Sequence, residues 1–393
     1  MKKLTTKLLI VLIVLIGSGG VFAFDMNPID VNCWGNVLLC KVTQPTDKLK
    51  FPVHEAMTLL AYDCYETSDA CSGGASKTSA DKLKKSGVLR DLVLGSEWND
   101  DPDSLLRQSV TKAVQWYALF NDAKLQSECK KQPGPKCEGK EIAQNPMMLY
   151  RSHFGDMQFI HSMASSDDET AKVTKEKMMV WAKFTYDIFI ADKNLDKQDI
   201  NNKSISSFVD IAKIINKPGW TVGALFDPMP GGEWKKSLNP LKFGRYEPNG
   251  RPREQTKYAN DDDEISVKHV ALGSLLHMVQ DSYSDSHTAR KGGCNPIAHS
   301  KKEIIAFRNY AGQKGDDHSI ADAHPDWLES GSLKKNNALW ASAQLIQFAF
   351  TPVSWEEGVG KFLDEEVFPL SDPQAKPQPG DRECFQGKAR KDI

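Results

Sequence analysis

Along most of the chain the apolar residues recur three and four positions apart, the spacing of a helix with one buried face. The stretches 55–65 (EAMTLLAYDCY), 104–120 (SLLRQSVTKAVQWYALF) and 169–190 (ETAKVTKEKMMVWAKFTYDIFI) carry this pattern. So do 205–215 (ISSFVDIAKII), 265–280 (ISVKHVALGSLLHMVQ) and 337–350 (NALWASAQLIQFAF). Strict apolar–polar alternation is scarce, and no internal repeat is evident. The pattern predicts an all-α, multi-helix domain with long connections.

Two segments break the rhythm. Residues 218–262 hold DPMPGG, NPLK, EPNGRP and the acidic run DDDE, and they read as an irregular insertion. Loops of that length in a compact domain are either functional or solvated excursions. From Pro369 onward the chain is Pro-rich and is expected to be an extended tail, 369–393. At the other end, MKKLTTK precedes the apolar run Leu8–Ile16, then GSGG and the small residue Ala23. That run is too short to span a bilayer comfortably and fits a cleaved signal peptide over 1–23. The mature chain then starts near Phe24, with a catalytic domain over 24–368, and is secreted or periplasmic.

Composition changes this picture little. Hydrophobic residues make up 40% and charged residues 26%, with a formal net charge of −2, so bulk electrostatics offer no sign of a stable nucleic-acid partner. The eight cysteines matter more. An even count in an exported chain favours disulfides. Cys33/Cys40, Cys64/Cys71 and Cys129/Cys137 are close neighbours, although eight cysteines allow about 105 connectivities. No CxxC occurs, which argues against a zinc ribbon.

The candidate chemistry lies in HMVQDSYSDSH, 277–287, and AHSKKE, 298–303. His277 and Asp281 are four apart and share a helix face, and so do His299 and Glu303. His287 falls between the pairs. Imidazole nitrogen and carboxylate oxygen are zinc's usual donors beside thiolate. One such pair is more often a surface ion pair. Five such residues within 27 make a metal site the better reading.

This HxxxDxxxxxH pattern, followed by HSKKE, resembles the zinc-dependent phospholipases C. Within that family it is most similar to the branch found in pseudomonads and legionellae. The resemblance implies an exported all-helical bacterial enzyme with two to three zinc ions and a phospholipid or membrane-surface substrate. Phosphatidylcholine is the first choice. It implies His277 and Asp281 at the first zinc, with Asp281 bridging, and His287, His299 and Glu303 at the second. It further implies His54 in FPVHEAMTLL as a ligand, and Asp100 in GSEWNDDPD as both ligand and catalytic base. His161 in QFIHSMASSDDE is the expected last histidine, with His153 in RSHFGD as the alternative. The family also ligates through its mature N-terminal residue, here Phe24.

Single-strand-specific zinc nucleases share the family's fold and are the alternative. Trp220, Trp234, Phe243 and Tyr246, with Lys235, Lys236 and Arg245, could form the platform such an enzyme needs. Glu303 favours the phospholipases, since the nucleases carry Asp there. A non-catalytic exported zinc-binding module is the third reading. Asp285 is expected to be a solvated loop acid and His269 an ordinary solvated residue, while Asp101 is the neighbour that competes with Asp100 for its role, a solvated acidic turn being the bland reading there. His318 and His324 are expected at the rim of the site or in a polar loop.

Overall fold

The computed structural model describes residues 53–66, 87–103, 105, 110–131, 148–192, 194–215, 220–226, 266–291, 303–310, 337–351 and 353–378. For 110–114 and 129–131 it describes the backbone alone. The expected signal peptide, Phe24, His299, His318, His324, residues 227–262 of the expected insertion and the tail beyond 378 lie outside these residues.

The described residues are mostly helical. The helices are α1 (Val53–Glu66), α2 (Gly87–Trp98), α3 (Val110–Lys131), α4 (Met148–Phe154), α5 (Ala171–Ile190), α6 (Ser206–Ile215), α7 (Val222–Phe226), α8 (Val267–Asp281) and α9 (Ala338–Phe350). A 3₁₀ turn covers Gln158–His161, and π-turns at Trp355–Val359 and Leu363–Val367 flank a short α-turn, Gly360–Phe362. Strands β1 (Thr288–Arg290) and β2 (Ile304–Phe307) pair antiparallel, with an irregularity between Ala289 and Arg290.

Helix α8 is the axis of the fold. Every residue from Val270 to Asp281 is buried, and α2, α5, α9 and α1 pack around it. The closest approach is to α2, where Gly95 and Gly273 face each other. A β-carbon on Gly95 would run into the Val270 carbonyl, and one on Gly273 into the Leu92 carbonyl. Asp91 on α2 accepts the backbone N–H of Ser266 at 2.8 Å, which satisfies a donor at the entry to α8. Trp98 and Trp181 stack with ring centroids 5.7 Å apart, and Phe226 packs on both.

Five of the six predicted helices appear within two residues of their expected limits, as α1, α5, α6, α8 and α9. The sixth is displaced: 104–120 becomes Val110–Lys131. Its last turns are polar on the outside, but Ala123, Gln126 and Ser127 are buried, and Gln126 donates to Asp122 one turn earlier. Helix α2 was not anticipated. From Asp91 to Trp98 all its residues are buried, so it has no polar face and no amphipathic period to read.

Residues 220–226, expected to belong to an irregular insertion, pack into the core. Trp220, Val222, Leu225 and Phe226 are core residues, and Trp98 donates its indole N–H to the Leu225 carbonyl at 3.1 Å. The start of the C-terminal tail is bound to the domain. The Ala375 and Pro373 carbonyls accept N–H groups from the first turn of α5, those of Ala171 and Lys172, each at 2.9 Å. Pro369 and Ser371 hydrogen-bond β2 at Ile304. Cys64 on α1 is disulfide-bonded, and the side chains of the other cysteines lie outside the described residues. Among the described residues no helix is long and apolar enough to cross a membrane.

Candidate metal centre

The close α2–α8 contact brings two chain segments together. Beyond α2, Asn99 donates its amide to the Ile160 carbonyl at 2.6 Å and to the Ser274 carbonyl at 3.2 Å. The Ser274 hydroxyl donates in turn to Asn99 Oδ1 at 2.5 Å. This clamp orients the next residue, Asp100, inward. Its neighbours do other work: Asp101 accepts the Leu105 N–H at 2.9 Å, and Asp103 accepts the Leu149 N–H at 3.0 Å.

Around Asp100 and Asp281 stand five histidines, His54, His153, His161, His277 and His287, each no more than 1% exposed. In each ring one nitrogen faces an oxygen that can only accept. His277 Nδ1 lies 2.5 Å from the Ser96 carbonyl, and His161 Nε2 lies 3.0 Å from the Asn99 carbonyl. His287 Nδ1 lies 2.6 Å from the His161 carbonyl, and His153 Nδ1 lies 3.1 Å from the Leu149 carbonyl. His54 Nδ1 lies 2.7 Å from Gln280 Oε1. A proton on each of those nitrogens leaves the opposite nitrogen with a lone pair; at His153 the Ser152 hydroxyl also lies 2.8 Å from Nδ1.

The lone pairs converge. His277 Nε2 is 2.9 Å from Asp281 Oδ2, His161 Nδ1 is 3.0 Å from the same oxygen, and the two nitrogens are 3.1 Å apart. Ligands at ~2.0–2.1 Å in a tetrahedral zinc site stand about 3.3 Å apart, so this triangle has nearly the right size. Asp281 Oδ1 is turned to the other side, 3.2 Å from His54 Nε2 and 3.6 Å from His287 Nε2. Asp100 Oδ1 lies 3.8 Å from His161 Nδ1 and 3.9 Å from His153 Nε2. The His54 ring stacks on that of His277 with centroids 3.7 Å apart.

Three overlapping groups could each hold a metal ion: His54–Asp100–His277, Asp100–His153–His161 and His161–His277–Asp281. Three acceptors facing one another at about 3 Å are mutually repulsive unless a cation lies between them. Protons are a poor solution in so dry a place. Burial pushes the His277 imidazole down to about 3, against the pull of Asp281. Burial lowers His161 as well. Burial works against an ionised Asp281, but His277, His287 and His54 outweigh it and hold its carboxyl well below the usual range.

These shifts set a sign for the metal-free protein. His277 titrates near 3 when folded and near 6.5 when unfolded, so below pH 6.5 the unfolded chain binds the extra proton. Stability must fall as the pH drops from about 6.5 toward 3. Asp281, whose folded value is depressed, adds its own loss only below its unfolded value of 3.8. Urea unfolding of metal-free protein should show a loss of about 2 kcal/mol from His277 alone between pH 7 and pH 5. A flat profile would contradict the neutral, buried imidazole.

Of the expected ligands, the structure gathers His54, Asp100, His161, His277, Asp281 and His287. It also gathers His153, which the sequence offered only as an alternative to His161. Glu303 is a correction. It lies just before β2, where side chains alternate between faces. Ile304 points into the core, whereas Glu303 points out, 42% exposed, and pairs with Lys291 across the hairpin. His299 and Phe24 lie outside the described residues. His269 is only 13% exposed rather than solvated, and burial lowers it to about 4. Asn99, Gln280 and Tyr310 went unnoticed in the sequence. The Tyr310 ring packs against His153, His161 and His287, and no local motif marks it.

The class of protein so defined is a mostly helical one whose buried histidine–aspartate clusters could hold a metal ion. Comparison of the chain with protein-family models, with curated proteins and with solved structures finds no match.

Proposed function

We propose that the chain is an exported zinc-dependent phospholipase C, cleaving the glycerol-side phosphodiester bond of phospholipids such as phosphatidylcholine. The observation that carries this reading is the convergence of five imidazole lone pairs on Asp100 and Asp281. Each of those rings is pinned from behind by an oxygen acceptor, the arrangement by which proteins prepare histidines as metal ligands.

The donor set fits zinc. His54, His153, His161, His277, His287, Asp100 and Asp281 would hold two to three ions. Zinc bound there supplies charge to neutralise phosphate oxygens and to bring a water's pKa toward ~7. Asp100 orients the attacking water and accepts its proton. Asp281 presents one oxygen to His277 and His161 and the other to His54 and His287, so one side chain serves both halves of the cluster. Burial keeps the His277 and His161 imidazoles neutral, and the oxygen contacts behind the five rings fix their orientation. Water adds to phosphorus, the bond to the glycerol oxygen breaks, and that oxygen leaves protonated as diacylglycerol.

The nuclease alternative loses part of its platform, since Trp220 is 1% exposed and cannot stack on a base. The other residues of that platform lie outside the described ones. With Glu303 turned toward Lys291, the preference for lipid over nucleic acid rests on the sequence motif. Zinc-loaded protein should release phosphocholine from phosphatidylcholine vesicles, lose that activity to a chelator and regain it with zinc. Nucleotide release from single-stranded DNA without lipid cleavage would overturn the lipid assignment. Metal binding without either activity would favour the non-catalytic module.

A further inference from the structure

We infer that Gln280 is a positioning residue that decides which nitrogen of His54 carries the proton; the inference rests on the reading of the cluster as a zinc site. Gln280 sits on α8 between His277 and Asp281 and is fully buried. Its side chain turns away from those two residues and toward α1 and α9. The amide nitrogen donates to Thr58 Oγ1 at 3.1 Å and to Ser342 Oγ at 3.4 Å. With the nitrogen committed to two hydroxyls, the amide oxygen is left facing His54 Nδ1 at 2.7 Å.

The consequence falls on the opposite side of the ring. A proton held at Nδ1 leaves Nε2 as a lone pair, and Nε2 is the atom 3.2 Å from Asp281 Oδ1. The other tautomer would turn an N–H toward the place where an ion binds. His54 is the residue that α1 contributes to the cluster, far in sequence from the α8 pair, so its ring needs an anchor that comes from α8 itself. At His161, His277 and His287 the corresponding contact is to a backbone carbonyl, which substitution leaves in place, and at His153 a backbone carbonyl stands beside the Ser152 hydroxyl. At His54 it is a side chain, and substitution can remove it. Thr58 and Ser342 act one step further out by orienting the amide, which ties α1, α8 and α9 together at this point.

Two measurements test this. In metal-free protein labelled with 15N-histidine, the His54 signal, identified by its loss in His54→Ala, should show the Nδ1–H tautomer. In Gln280→Leu it should move to a mixture or to Nε2–H; an unchanged tautomer overturns the inference. Zinc affinity, read by competition with a chelator, should fall by about 10–100-fold in Gln280→Leu. In Gln280→Glu, which keeps an oxygen acceptor there, it should stay at or above the native value. In a His54→Ala background, Gln280→Leu should cause no further loss. A loss of equal size in that background would mean that Gln280 only supports the helix packing. If the native chain bound no zinc, the reading of the site would fail separately, and the tautomer would still decide the role of Gln280.

Discussion

Replacing Asp281 by Asn is expected to weaken zinc binding by more than the roughly 10–100-fold that outer partners of a metal site cost, while costing the metal-free protein much less. The two parts have one cause. Asp281 Oδ2 faces two ring nitrogens, and Oδ1 faces two more. Without a metal, the surrounding imidazoles hold the carboxyl well below its usual range, so its charge contributes some stability to the fold. An amide of the same shape brings an N–H that can donate to one of them, which offsets part of that loss. With a metal, the same change removes a full negative charge from a dry site, where charges interact strongly. Thermal unfolding with and without zinc reads both: the shift that zinc produces in the native chain should largely vanish in the variant, because binding stabilises only in proportion to affinity. A variant that kept the full zinc shift would remove Asp281 from the centre. One that unfolded without zinc would make Asp281 a structural residue.

The second large effect is expected at Gly273. In Gly273→Ala the new methyl would overlap the Leu92 carbonyl and approach Gly95 Cα. Both neighbours are backbone, so no side chain can rotate away and the helices must part. Overpacking costs about 1–3 kcal/mol, and contact with backbone on both sides puts this case near the upper figure. The damage should extend to the cluster. The same contact holds Ser96 against His277 and Asn99 against Ser274, so Asp100 would move relative to His277. Urea unfolding of the metal-free variant should show the stability loss, and zinc affinity should fall with it. Native stability and native affinity together would mean that the helices adjust freely and that their close approach does not set the site.

How much of this could be read in advance depended on the kind of signal each residue leaves. Helices with a dry face and a wet face were legible, as α1, α5, α6 and α9 were, because burial on one side imposes a period; α8 carries the same apolar spacing although it is buried from Val270 to Asp281. Helix α2 left no such trace. It is buried all round, and its one distinguishing residue, Gly95, reads in sequence as a weakness in a helix rather than as a point of contact. Trp220 illustrates the reverse. It stands at the edge of a Pro/Gly-rich run, and its neighbours disguised a core residue as part of a loop.

At the site, the i, i+4 pair His277 and Asp281 was legible because helix geometry alone puts both on one face. His153 and His161 competed in sequence for one role, yet a short helix and the 3₁₀ turn after it bring both rings to Asp100, with centroids 4.8 Å apart. Glu303 failed where a helical spacing was assumed across residues that begin a strand. Gln280 and the carbonyls behind the rings carry no signature at all, since their role exists only once α1, α2 and α8 have met.

Elemental analysis of the purified chain tests most directly whether these side chains form a metal centre. Two to three zinc per chain, falling sharply in Asp281→Asn, is the predicted result. A native chain that carries no metal and takes up none on dialysis against zinc would contradict it.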